Sequence, residues 1–217
     1  LTSFELSRPS FGQTWRAQSK NQGAHRLLIA VALGTLGFSM QEILLEPYGA
    51  EVLAMSVSQT TRLTAIFAGG MLIAMALSAR YLGRGGEPIR LAAYGAVVGV
   101  FAFAAVIMAG AFDSLTLFAA GTLLIGIGNG LFAVGTLTAA MLLAGTATAG
   151  LVIGTWGAVQ ATAVGCAVFL GGALRDMTEA LIQGGMIGQQ LSGPATPYGA
   201  VYHLSLIHIS EPTRPRL

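Results

Sequence analysis

Between Ser114 and Leu174 the chain runs for 61 residues without a single Asp, Glu, Lys or Arg. No soluble surface can be built from such a stretch, because soluble domains carry about 25% charged residues spread through every element that meets water. A helix rises ~1.5 Å per residue and a bilayer's hydrocarbon core is ~30 Å thick, so the run must contain more than one membrane crossing. The small and hydroxylated stretch Ala144-Gly-Thr-Ala-Thr-Ala-Gly150 is the natural break. Crossings are therefore expected over residues 115–143 and 151–174.

Three further apolar runs precede these. One covers residues 27–45 and is expected to end at Pro47, which cannot continue a helix. A second starts near Ser58, read as its N-cap, and reaches about Ala79. The third is the 22 uncharged residues from Leu91 to Phe112. Over the whole chain 54% of residues are hydrophobic, 9% are charged and the mean hydropathy is +0.71, which excludes both a soluble globule and a disordered chain. A lone cysteine, Cys166, excludes an internally disulfide-stapled scaffold. A net charge of +2, with the basic residues scattered, gives no footprint for nucleic acid. Nothing alternates in the manner of a transmembrane β-strand. The fold class is all-α: a polytopic membrane protein with about five transmembrane helices, surrounded by membrane lipid.

Orientation follows from Lys and Arg near the ends of the spans. Arg8, Arg16, Lys20 and Arg26 precede the first, and Arg80, Arg84 and Arg90 join the second to the third. The opposite side holds Arg175 before the tail, together with Glu46, Glu51 and Asp113. Residues 1–26 are therefore expected in the cytoplasm.

Enzyme signatures are absent: there is no His-Glu-x-x-His, no Cys-x-x-Cys and no Gly-Lys-Ser/Thr loop, so no chemical conversion is expected. Gly126-Ile-Gly-Asn-Gly130 has the look of a nucleotide loop, yet it sits inside an apolar helix, where small residues let helices approach closely. The spacing recurs at Gly150 and Gly154 and at Ala161 and Gly165, and packing is the expected role of all of them. Ionisable groups at membrane depth call for a functional account. Glu42 and Glu46 are four residues apart near the far-side end of the first span, and Arg62 lies in the first turn of the second. Matched depth and opposite charge make Glu42, Glu46 and Arg62 a candidate polar cluster. The alternative is that each snorkels separately to the headgroups. Asn129, Trp156 and Gln160 are the other polar handles within spans, suited to interhelical hydrogen bonds or to contact with a pigment whose central magnesium takes hard ligands. His25 and His203 lie at span ends or in loops, and no metal site is expected.

Several stretches carry a family resemblance. They are Gln41-Glu-Ile-Leu-Leu-Glu-Pro-Tyr-Gly-Ala-Glu-Val52, Leu82-Gly-Arg-Gly-Gly86, Gly121-Thr-Leu-Leu-Ile-Gly126, Gly130-Leu-Phe, Gly135-Thr-Leu-Thr-Ala-Ala-Met141, Trp156-Gly-Ala-Val-Gln-Ala-Thr162 and Gly171-Gly-Ala-Leu-Arg-Asp176. Together they resemble the PucC-type proteins, the bacteriochlorophyll delivery branch of the major facilitator superfamily, over residues 27–203. The resemblance implies assembly of photosynthetic light-harvesting complexes in a bacterial inner (intracytoplasmic) membrane. The clients would be bacteriochlorophyll and the antenna apoproteins, with no tightly bound cofactor. It also implies a twelve-helix parent in two halves. Residues 1–26 would be the cytoplasmic connector between the halves, residues 27–203 a partial C-terminal half holding helices seven to eleven, and the absent N-terminal half a partner. The rival function on the same fold is a secondary transporter of a small solute.

The tail Leu204-Ser-Leu-Ile-His-Ile-Ser-Glu-Pro-Thr-Arg214 matches the translation of a transposase-type sequencing-library adapter. Residues 204–217 are accordingly expected to be non-native, interrupting a twelfth helix that begins near Tyr198-Gly-Ala-Val-Tyr-His203.

Overall fold

The computed structural model describes residues 22–40, 45–144, 149–184 and 196–210. Seven helices make up these segments: α1 (Gln22–Met40), α2 (Leu45–Glu51), α3 (Val57–Gly83), α4 (Pro88–Ala111), α5 (Leu115–Leu143), α6 (Ala149–Gln183) and α7 (Thr196–Ser210). Counting α1 and α2 together, five spans are long and apolar enough to cross a membrane. The chain is a multi-pass helical membrane protein, with no strand among the described residues.

Local chemistry sets the ends of these helices. Pro47 does not stop the first span. It sits in the first turn of the separate short helix α2, where a missing N–H breaks no intrahelical bond. The second span starts two residues before Ser58, because Ser56 is its cap and donates its backbone N–H to the Gln59 side chain at 2.8 Å. That span closes on a Schellman turn: Gly86 N–H donates to the Tyr81 carbonyl (3.0 Å), Gly85 N–H to that of Leu82 (2.9 Å), and Gly85 has φ +81°. Proline at the first position of α4 and Ser114 capping α5, its hydroxyl accepting from Leu117 N–H at 3.3 Å, start the next two. The fifth span is longer than expected. α6 continues past Leu174 to Gln183 and carries Arg175, Asp176 and Glu179 on helix.

Packing is organised around α5. One of its glycine rows, Gly121, Gly128 and Gly135, lies against α4, so closely that a Cβ at Gly128 would come within 2.9 Å of the Gly95 carbonyl and one at Gly135 within 2.7 Å of the Pro88 carbonyl. The second, Gly126 and Gly130, lies against Phe67, Gly70, Met71 and Ala74 of α3. This is close backbone approach of the kind expected for small residues in membranes. Apolar side chains fill the space these contacts leave. Phe38 of α1 meets Phe103 and Phe132 at ring separations of 6.1 and 5.8 Å, and Tyr48 of α2 meets Phe118 at 5.3 Å. By contrast α6 is the least buried span, resting on α1 and α7. The expectation of packing fails for its small residues: at Gly150, Gly154 and Gly165 an added Cβ would meet nothing within 4 Å. α7 runs through residue 204, and Ser205 and Ile209 are buried within it, against α1 and α4.

Candidate functional site

α1 and α6 run side by side and touch closely toward one end. There Gly171 meets the Met40 backbone, and a Cβ in its place would lie 2.6 Å from the Met40 carbonyl. Toward the other end the helices separate around an apolar groove of about 850 Å³, lined by Leu33 and Leu36 on α1 and by Gly154, Ala158, Thr162 and Cys166 on α6. A smaller pocket of about 260 Å³ follows along the same seam, between Met40, Leu170, Leu174, Met177 and Leu204, and Leu36 lines both. Among the described residues, neither cavity has a charged residue in its lining. The hydroxyls of Thr155 and Thr162 are already bonded to the carbonyls of Leu151 and Ala158, at 2.8 Å each, so the walls offer few free polar atoms. Such a site favours a lipophilic occupant over a polar one.

The smaller pocket lies beside a polar cluster. Arg175 of α6 donates through Nη2 to both carboxylate oxygens of Glu51 at the end of α2, at 3.3 and 3.2 Å. Tyr198 of α7 donates a short hydrogen bond to the same carboxylate, and the Arg175 guanidinium lies over the Tyr198 ring, 5.1 Å from its centroid. Tyr48 and Tyr202 complete an aromatic nest, with Tyr48 edge-on to Tyr198 at 5.5 Å and to Tyr202 at 5.4 Å. Three segments that are distant in sequence are thus joined at one point. The other nitrogen of the guanidinium, Nη1, reaches Asp176 (3.5 Å) and Glu179 (3.7 Å) on its own helix, while Nε is buried without a partner.

The residues singled out from sequence are placed as follows. Glu42 lies outside the described residues. Glu46 accepts a hydrogen bond from the Thr64 hydroxyl, which joins α2 to α3. Arg62 is exposed in the second turn of α3, because that helix starts at Val57, and among the described residues no ion pair links it to Glu46. Trp156 makes an interhelical bond, its Nε1–H donating to Thr136 Oγ1 at 3.3 Å and tying α6 to α5. Asn129 and Gln160 are half-buried, with no side-chain hydrogen bond to another described residue. The Glu51–Arg175–Tyr198 cluster was missed as a site. A signal existed, since Arg175 is the cation set among the acids of its side, but Glu51 lies 124 residues before Arg175 and 147 before Tyr198, beyond the reach of any spacing argument.

Comparison with known proteins fits this architecture. The family model described as "PUCC protein" matches residues 3–210. The chain is 48% identical over 198 residues to Protein PucC of Cereibacter sphaeroides, covering 90% of this chain and 42% of that protein. It is 48% identical over 168 residues to Protein PucC of Rhodovulum sulfidophilum, covering 77% of this chain and 37% of that one. It is 31% identical over 157 residues to the "Bacteriochlorophyll synthase 44.5 kDa chain" of Rhodobacter capsulatus, covering 67% of this chain and 35% of that protein. The chain therefore spans less than half the length of these relatives. No solved structure matches it. With almost the whole chain matched by the family model and nearly half its residues shared with a family member, this protein belongs to the PucC family.

Proposed function

We propose that the chain is part of an assembly factor for light-harvesting antenna complexes, acting in a bacterial inner membrane and handling bacteriochlorophyll or the antenna polypeptides that receive it. It carries out no chemical conversion of its own. The observation that carries the reading is membership of the PucC family, whose relatives here include one named for bacteriochlorophyll. The seam between α1 and α6 supports it. A groove of about 850 Å³ falls within the ~300–1,000 Å³ of ordinary ligand sites, and its lining suits a flat or chain-like lipophilic client. A transporter of polar solutes would instead need charged or strongly polar groups near the middle of the bilayer. Here the described charges on helices sit toward helix ends.

The test is to purify the protein in mild detergent from a pigment-producing host, wash away free pigment and record the absorption spectrum. Bacteriochlorophyll retained near one equivalent supports delivery of pigment. Antenna polypeptides co-purifying without pigment support a chaperone of the polypeptides. Neither pigment nor polypeptide in the preparation overturns the reading.

A further inference from the structure

We propose that Arg175 is a two-position latch: it exchanges between Glu51 across the helix interface and Glu179 on its own helix, and this exchange opens and closes the α1–α6 seam. The inference stands apart from the identity of any client, because it concerns how the helices are fastened.

The guanidinium already has both sets of partners. Nη2 faces Glu51, while Nη1 faces Asp176 and Glu179. Breaking a charged contact is costly when it strands an ion without a partner. Arg175 would not be stranded, because releasing Glu51 leaves two carboxylates of α6 in place. Glu51 and Glu179 are each about half exposed, at 50% and 46%, so water can take over whichever is released. The closed arrangement also leaves one donor unsatisfied, the buried Nε, and an unpaired buried donor disfavours the state that contains it. Tyr198 couples α7 to the exchange: it donates to Glu51 and lies under the guanidinium, so it loses the guanidinium contact but keeps Glu51 when Arg175 turns away.

The rest of α6 shows why this contact matters. Its described ties include the Gly171–Met40 contact, the Trp156–Thr136 hydrogen bond, the fully buried Ala167 with Leu174 packed on the core, and the cluster around Arg175. Between and beyond them the helix faces open space at Gly150, Gly154, Gly157, Gly165 and Gly172. With the latch released, α6 can swing about the Trp156 tie. The end that carries Met177 then moves away from α1, and the two cavities that share Leu36 become one continuous apolar passage.

The experiment uses pulsed electron spin resonance on the protein in lipid nanodiscs. One spin label is placed at Met177→Cys on α6 and another at Val57→Cys at the start of α3, in a Cys166→Ser background. Both positions are exposed, and α3 belongs to the closely packed part of the bundle. Glu51→Gln weakens the interhelical partner and should shift the distances to longer values. Glu179→Gln weakens the partner on α6 and should narrow the distribution toward the short distance. Opposite shifts from two carboxylate-to-amide changes would not arise from a merely structural role. Should Glu51→Gln fail to fold, Glu179→Gln alone decides by the presence or absence of the narrowing. Unchanged distributions, or shifts in the same direction, overturn the proposal.

Discussion

Glycine is used in two opposite ways within a single fold. At Gly128 and Gly135 the missing side chain is what lets α4 and α5 meet backbone to backbone, and a methyl there would collide with carbonyls that cannot step aside. Gly128→Ala is expected to destabilise the protein by about 1–3 kcal/mol, the usual cost of overpacking a close contact. Gly154→Ala, on the open face of α6, is expected to raise stability slightly, by roughly 0.5–1 kcal/mol, since alanine is the better helix former. Thermal unfolding midpoints of the two variants in the same detergent check both signs at once. Gly126-x-x-x-Gly130 and Gly150-x-x-x-Gly154 look identical as strings, and the expectation of packing held for the first and failed for the second. Spacing tells which residues share a helix face. It does not tell whether another helix lies opposite.

At the scale of helices, the boundaries that could be read were those written in local chemistry. The span over residues 115–143 coincides with α5, because Ser114 caps its start and the extended backbone of Ala144 ends it. Ser114→Ala should therefore cost about 1 kcal/mol, as for other side-chain caps. Gly85→Ala should cost ~1–2 kcal/mol through the left-handed φ that closes α3. Chemical denaturation followed by circular dichroism measures each. Where the reading went wrong, the cause was equally local. Proline was taken as a terminator when it stood at a helix start, and the charges after Leu174 were taken to end a helix that runs on to Gln183. A charged residue ends a hydrophobic run, but it need not end the helix once the chain has reached the headgroups.

For the molecule as a whole, composition alone determined the class, and five spans were counted where five are found among the described residues. The site was less legible, because its members come from α2, α6 and α7 and only the folded bundle brings them together. The charge asymmetry makes a further prediction for the intact membrane. A cysteine placed at Glu87, between α3 and α4, should react with an impermeant maleimide only from the cytoplasmic face, and one at Asp113, between α4 and α5, only from the opposite face. Labelling of right-side-out and inverted vesicles checks this, and the reverse pattern would invert the topology.

The order in which the helices find their neighbours also has a consequence for how the protein is made. α3, α4 and α5 are consecutive, joined by short turns, and can assemble as each leaves the ribosome. α1 cannot wait for so little. Besides α4 and α5, which Phe38 meets, its neighbours are α6 and α7, and the Glu51–Arg175 contact closes a separation of 124 residues. At ~5–20 residues per second of synthesis, the first span stays without those neighbours for on the order of ten seconds. During that interval Phe38 can already pack on Phe103 and Phe132 of α4 and α5, while the Met40 backbone still lacks the Gly171 contact from α6. Closing this bundle thus requires α6 and α7 to return to α1 across the helices made between them.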